Sequence, residues 1–235
     1  MESIHQHAYS LLLDTVGMPE IEYKAFAEYE AMSKKHEYVT EFKPTIKDKR
    51  SIAKTLAVYS AFTEGLQLFS SFAILLNFPR FGKMKGMGQI VTYSIKDESL
   101  HVEAMTKLFQ EFIQENIEIW TDDFKKELYD ICREMVEHED KFLDLVFDMG
   151  DIQGLTKKDM YAYNRYIADR RLLQLGLKTN YDQRENPLGW LDEVMGGVEH
   201  QNFFEGRATS YMKAGLRGKQ DGVIFTEINN ESIGS

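Results

Sequence analysis

Cysteine is nearly absent: Cys132 is the only one among 235 residues. That excludes an internal disulfide framework and suits a reducing compartment. Proline is almost as scarce, with 4, and the 16 glycines are few for this length, so long periodic runs survive unbroken and favour a mostly helical protein. Positive charge is in deficit, with 28 Lys and Arg against 38 Asp and Glu and a net charge of -10, which argues against a nucleic-acid-binding surface. A membrane-length apolar run is missing too. The most apolar stretch, residues 56–81, is interrupted by Glu64, Gln67 and Asn77 and reads as a buried globular helix. The opening residues are neither basic nor followed by an apolar core, so no signal peptide is expected and the expected location is cytoplasmic. What is present is 43% hydrophobic residues, enough for one large domain with a real core.

The periodicity predicts an all-α chain. A first helix covers residues 1–14 and is ended by Gly17 and Pro19. A more polar helix over 20–38 carries Ile21, Ala25, Tyr29 and Met32 as its stripe. A long apolar helix follows over 47–78, then a turn containing Pro79 and residues 82–88. The next helix, strongest over 93–109, runs to about Asn116. Another starts at Thr121, with Asp122 and Asp123 suited to the positive end of its dipole, and ends at Gly150. Thr156 and Asp159 have capping-box spacing for a helix to about Leu177. Residues 186–190 read as a loop. The domain expectation is a helical unit over 1–217 with a flexible tail over 218–235.

Chemistry concentrates in three places. Glu98 and His101, three apart on the 93–109 helix, share one face, with Ile95, Leu100, Met105 and Leu108 around them; Asp97 precedes them and is placed to bond the outer nitrogen of a ligand. A second Glu-x-x-His pair, Glu2 and His5, opens the chain. Two such pairs are weak evidence by count alone. Glu64 strengthens the case, because it sits in the most apolar helix, near Leu68, Phe72 and Leu75, with no basic residue over 57–77; a buried carboxylate needs a partner. Carboxylate-bridged di-metal bundles take one Glu from each of two helices and Glu-x-x-His from each of two others. Oxygen-rich ligands with two imidazoles suit iron or manganese, and such metals activate dioxygen. Tyr9 shares the face of His5 and Glu2, where an oxidant could turn it into a phenoxyl radical, with Ala8, Leu12 and Leu13 as shields.

In this order and spacing, Glu2-x-x-His5-x-x-x-Tyr9, Glu64 and Asp97-Glu98-x-x-His101 resemble the radical-generating small (beta) subunit of class I ribonucleotide reductase. The likeness continues through Tyr166-Ile-Ala-Asp-Arg-Arg-Leu172, Asn186-Pro-Leu-Gly-Trp190 and Glu199-His-Gln-Asn-Phe-Phe-Glu205, covering roughly residues 1–214. It implies a ferritin-like helical bundle with a di-nuclear centre of two Fe or Mn/Fe. The ligands it implies are Glu2, His5, Glu64, Glu98 and His101, with Asp97 orienting His5, Tyr9 as radical site, and Leu68 and Phe72 in the apolar pocket around it. It also implies a large (alpha) subunit that makes deoxyribonucleotides with the oxidising equivalent, and a homodimer.

Two departures qualify the expectation. The family's further Asp ligand and an upstream Trp would precede residue 1, so the bundle is expected to be incomplete at its N-terminus, with a separate N-terminal fragment supplying the Asp. The tail after Tyr211 has no tyrosine, which leaves Phe225 and Ile228 as docking candidates. The competing readings are a di-metal oxidase or hydroxylase with its own substrate, and a non-catalytic fragment. His36, His138 and His200 are expected in solvent. Cys132 is expected as an inert thiol, and Tyr161, Tyr163, Tyr166, Trp120 and Trp190 as packing residues.

Overall fold

In the computed structural model of the protein, the described residues are 2–17, 24, 28–42 and 48–194. Their regular elements are helical, apart from one isolated bridge between Ile152 and Leu155. In chain order these are α1 (Glu2–Val16), α2 (Glu30–Thr40), α3 (Lys49–Ala57), a π-helical segment (Val58–Gln67), α4 (Leu68–Arg80), α5 (Lys85–Glu115), a 3-10 turn (Ile117–Ile119), α6 (Asp122–Val146), α7 (Lys157–Gln174) and α8 (Gly189–Val194). The described residues fall within one compact unit, 1–198. The expected tail, Phe225, Ile228, the 199–205 motif and His200 lie outside the described residues, as do Ile21 and Ala25.

The long helix expected over 47–78 is present as one rod. Residues at both junctions of the π segment keep right-handed helical angles, so α3, the π segment and α4 run on without a break. The π register was not visible in the apolar pattern. The buried side chains of this segment include Val58, Ala61, Phe62 and Leu66, and it packs against α2, α5, α6 and α7. A cation from α7 reaches it: Arg171 Nε donates to the Gly65 carbonyl at 2.7 Å. Gly65 is required here because Arg171 Nε lies 2.7 Å from where a Cβ would stand, with the Ser60 carbonyl oxygen at 3.1 Å.

Local chemistry sets the helix ends. Pro79 belongs to the last turn of α4 rather than to the turn beyond it. The helix closes one residue later in a Schellman arrangement: Gly82, at φ +76, donates to the Pro79 carbonyl, and Lys83 donates to that of Phe78. Gly88 lies inside α5, where a Cβ would meet Pro79 Cγ at 2.4 Å. Thr121 accepts from the Phe124 amide at 3.2 Å, and Thr156 with Asp159 forms the full capping box. The second helix differs from expectation. Tyr29 is extended, α2 starts at Glu30, and it runs on to Thr40. The 186–190 loop is half helical, because α8 begins at Gly189. Asn186 steadies that start by accepting from the Leu188 amide and donating to Asp192.

His138 is not in free solvent but stacks at 5.1 Å on Tyr38, and burial lowers its basicity. Neighbouring Glu139 is fully buried, raised in pKa by desolvation and opposed by its ion pair to Lys35. Trp120 packs between Phe109 and Phe124, and the Trp190 ring lies 4.0 Å from the Arg80 guanidinium.

Two outcomes follow from this packing. Gly65→Ala is expected to destabilise the chain by about 1–3 kcal/mol through overpacking against Arg171. Gly86→Ala, whose added methyl meets nothing within 4 Å, is expected to stabilise it by up to about 1 kcal/mol through helix propensity; urea titration of both variants reads the contrast. Cys132 is buried, and desolvation pushes its thiol up to about 12. It should resist iodoacetamide at pH 8 in the native protein and react readily once denatured, as mass spectrometry of the adduct will show.

Candidate metal centre

Helix α5 brings Asp97, Glu98 and His101 within a single turn. Glu98 is 3% exposed, and nine other α5 residues, among them Val91, Ile95, Val102 and Phe109, are buried with it. Such a carboxylate demands compensation. Helix α1 packs on α5 and delivers His5, whose Nδ1 lies 3.3 Å from Glu98 Oε1. His101, one turn along α5, places its own Nδ1 3.4 Å from Glu98 Oε2. The two oxygens of one carboxylate therefore face two different imidazoles. Glu64, from the π segment, completes a group with Glu98 and His101 in which one ligand atom from each lies within 4.8 Å of the others. Glu2 opens α1, but its side chain lies outside the described residues.

The outer nitrogen of His5 decides the chemistry of the inner one. Nε2 lies 3.2 Å from Asp97 Oδ2, and an ionised carboxylate only accepts, so the ring hydrogen sits on Nε2. An imidazole held by one carboxylate at its outer nitrogen and facing a second, buried carboxylate with its inner nitrogen has the layout of a metal ligand with its outer contact in place. These residues fit a pair of oxygen- and nitrogen-ligated metal ions.

One turn further along α1, Tyr9 donates to Ser94 Oγ at 3.0 Å. Burial raises the phenol's pKa above its ordinary value; the Ser94 hydrogen bond opposes that and the charge of Glu98 adds to it. Leu12 packs against the core beside Tyr9, whereas Leu13 is exposed. Phe72 is buried and Leu68 is 37% exposed. The α-helical reading had put both on the face of Glu64, and the i→i+5 bonding of the π segment shifts that register.

Two residues of the 166–172 motif on α7 support this region, in roles that the motif alone did not specify. Arg171 holds the Gly65 carbonyl, next to Glu64. Asp169, buried, accepts from the amides of Asn180, Tyr181 and Gln183 and fastens the loop after α7. Ser94 also escaped the reading, although it stands four residues before Glu98 and so shares its face. A cavity of about 420 Å³ lies along α4 and α5, lined by residues such as Leu76, Pro79, Arg80 and Tyr93, and none of the candidate ligands lines it. Among the described residues, no helix is long and apolar enough to cross a membrane.

Residues 1–187 match the family model described as ribonucleotide reductase, small chain. The chain is 41% identical to the probable ribonucleoside-diphosphate reductase small subunit of invertebrate iridescent virus 3, over 92% of its own length and 62% of the relative's. It is 42% identical to the corresponding protein of invertebrate iridescent virus 6, over 92% of its length and 70% of the relative's. The ribonucleotide reductase R2 subunit from Clostridium botulinum superposes with a TM-score of 0.75 at 26% identity, covering 83% of this chain and 63% of that one. The helical arrangement is thus the ferritin-like one of these R2 subunits, and the chain belongs to the ribonucleotide reductase small-chain family.

Proposed function

We propose that this chain carries the metal- and radical-bearing part of a ribonucleoside-diphosphate reductase small subunit. The observation that carries the reading is the buried Glu98 carboxylate with one imidazole Nδ1 on each oxygen. Glu98, His5, His101 and Glu64 would together hold a di-metal centre there. A bound pair of iron or manganese ions supplies dioxygen activation.

The chain's own residues account for the rest. Asp97 contacts His5 Nε2 and so orients the ring with Nδ1 toward Glu98, where it would ligate. Tyr9, protonated and half-buried close to Glu98, is the phenol that yields the stored radical. By the family resemblance, Phe72 and Leu68 would line the apolar pocket around it. The register of α1 against α5 is antiparallel, pairing His5 with Glu98 and Tyr9 with Ser94. Continued by one turn, it brings position 2 level with position 101, which supports Glu2 as a further ligand. By the same reading the chain works as a homodimer and hands its oxidising equivalent to a large catalytic subunit, which makes deoxyribonucleotides.

The test is reconstitution with ferrous or manganous ion and oxygen. A tyrosyl signal in electron paramagnetic resonance, abolished in Tyr9→Phe, is expected. Glu98→Ala and Glu64→Ala should each lower bound metal by about tenfold or more in affinity. Unchanged metal content in both would overturn the site. Two bound metals without any Tyr9 signal would instead favour an oxidase acting on its own substrate.

A further inference from the structure

The hydrogen bond between Tyr9 and Ser94 has a fixed polarity. Ser94 is 3% exposed, and its hydroxyl donates to the Ile90 carbonyl at 3.1 Å, one turn back along α5. A serine hydroxyl has a single hydrogen and two lone pairs. With that hydrogen committed to Ile90, Ser94 Oγ faces Tyr9 as an acceptor, at 3.0 Å. The chain therefore runs from the Tyr9 hydroxyl to the Ser94 hydroxyl to a backbone carbonyl. It ends there, because an amide carbonyl has no proton to hand on.

We propose that Ser94 is a positioning residue for Tyr9: its hydroxyl oxygen takes the phenolic hydrogen and sets where the phenol points relative to Glu98. The role rests on Tyr9 being the radical site. Geometry gives it two parts. The bond joins α1 to α5 one turn from the contacts of His5 with Asp97 and Glu98, so the phenol and the imidazole are held in one register. Ser94 also keeps the phenolic hydrogen turned toward Oγ and away from the Glu98 carboxylate, which would otherwise compete for it. The raised pKa of the phenol keeps Tyr9 a donor. Ser94 thus orients the hydrogen without relaying it.

The experiment uses the full chain in two states. In the metal-free protein with ring-labelled tyrosine, the Tyr9 hydroxyl resonance is identified by its loss in Tyr9→Phe, and its exchange with solvent is measured. Ser94→Ala should speed that exchange about two- to tenfold, as expected for loss of one hydrogen bond, and Ser94→Thr, which restores a hydroxyl, should return it toward the original rate. After loading with iron or manganese and oxygen, the β-hydrogen splittings of the Tyr9 radical, which report ring torsion, should change in Ser94→Ala and be retained in Ser94→Thr. Unaltered exchange and unaltered splittings in Ser94→Ala overturn the proposal. If the unsubstituted chain forms no Tyr9 radical, the functional reading fails, and the metal-free exchange alone decides the place of Ser94.

Discussion

A carboxylate inside an apolar helix is an expense that the surrounding fold has to meet, and Glu98 is where that constraint is sharpest. Its desolvation is offset by groups aimed at its two oxygens. His101 reaches one from a turn along α5 and His5 the other from α1. Glu64 approaches from the π segment, and bringing a second carboxylate toward a buried one is unfavourable by like-charge repulsion. The cluster makes physical sense as a cation-binding one, in which the positive charge binds the helices together.

The π segment is the second constraint. A run of i→i+5 bonds is less favourable than α-helix and occurs where a side chain must be re-aimed. Here it lies between two α-helical stretches of one rod and contains Glu64. Arg171 donates into it at Gly65, and the missing side chain of Gly65 lets the guanidinium approach. The motif spanning residues 166–172 thereby gains a mechanical meaning. Arg171 braces the backbone beside Glu64, and Asp169 ties down the following loop through three amides. Both hold the frame in which the candidate ligands stand.

Much of this was legible in the residues. The capping box at Thr156, the start at Thr121 and the long helix through Glu98 follow from local rules of capping and periodicity, and the ligand spacing on α5 is a property of one helix. The π register was hidden, because an apolar stretch buried on most sides looks the same at either pitch; Leu68 is more exposed than an i, i+4 relation to Glu64 suggested for that reason. The helix expected as one run over 20–38 is interrupted at Tyr29, where extended angles break a stripe that spacing alone had made continuous. The roles of Ser94 and Arg171 were not legible, since what matters about each is a partner 85 and 106 residues away in the chain. Long-range pairing of that kind comes from packing and leaves no periodic trace.

The contact between Gly88 and Pro79 gives the assembly a mechanical stop. The proline ring fills the space in which a side chain at position 88 would stand, so it seats like a key in a slot cut across α5. Helices joined only by smooth apolar faces can slide along each other, and at a rise of 1.5 Å per residue even a partial slip would spoil ligand distances. Glu98 lies ten residues beyond Gly88 on the same helix, or about 15 Å along its axis. Because α5 is an unbroken helix of 31 residues, fixing it at the Gly88 end fixes its axial position at Glu98 as well. A joint at the far end of the helix thus calibrates the distances at the candidate metal centre.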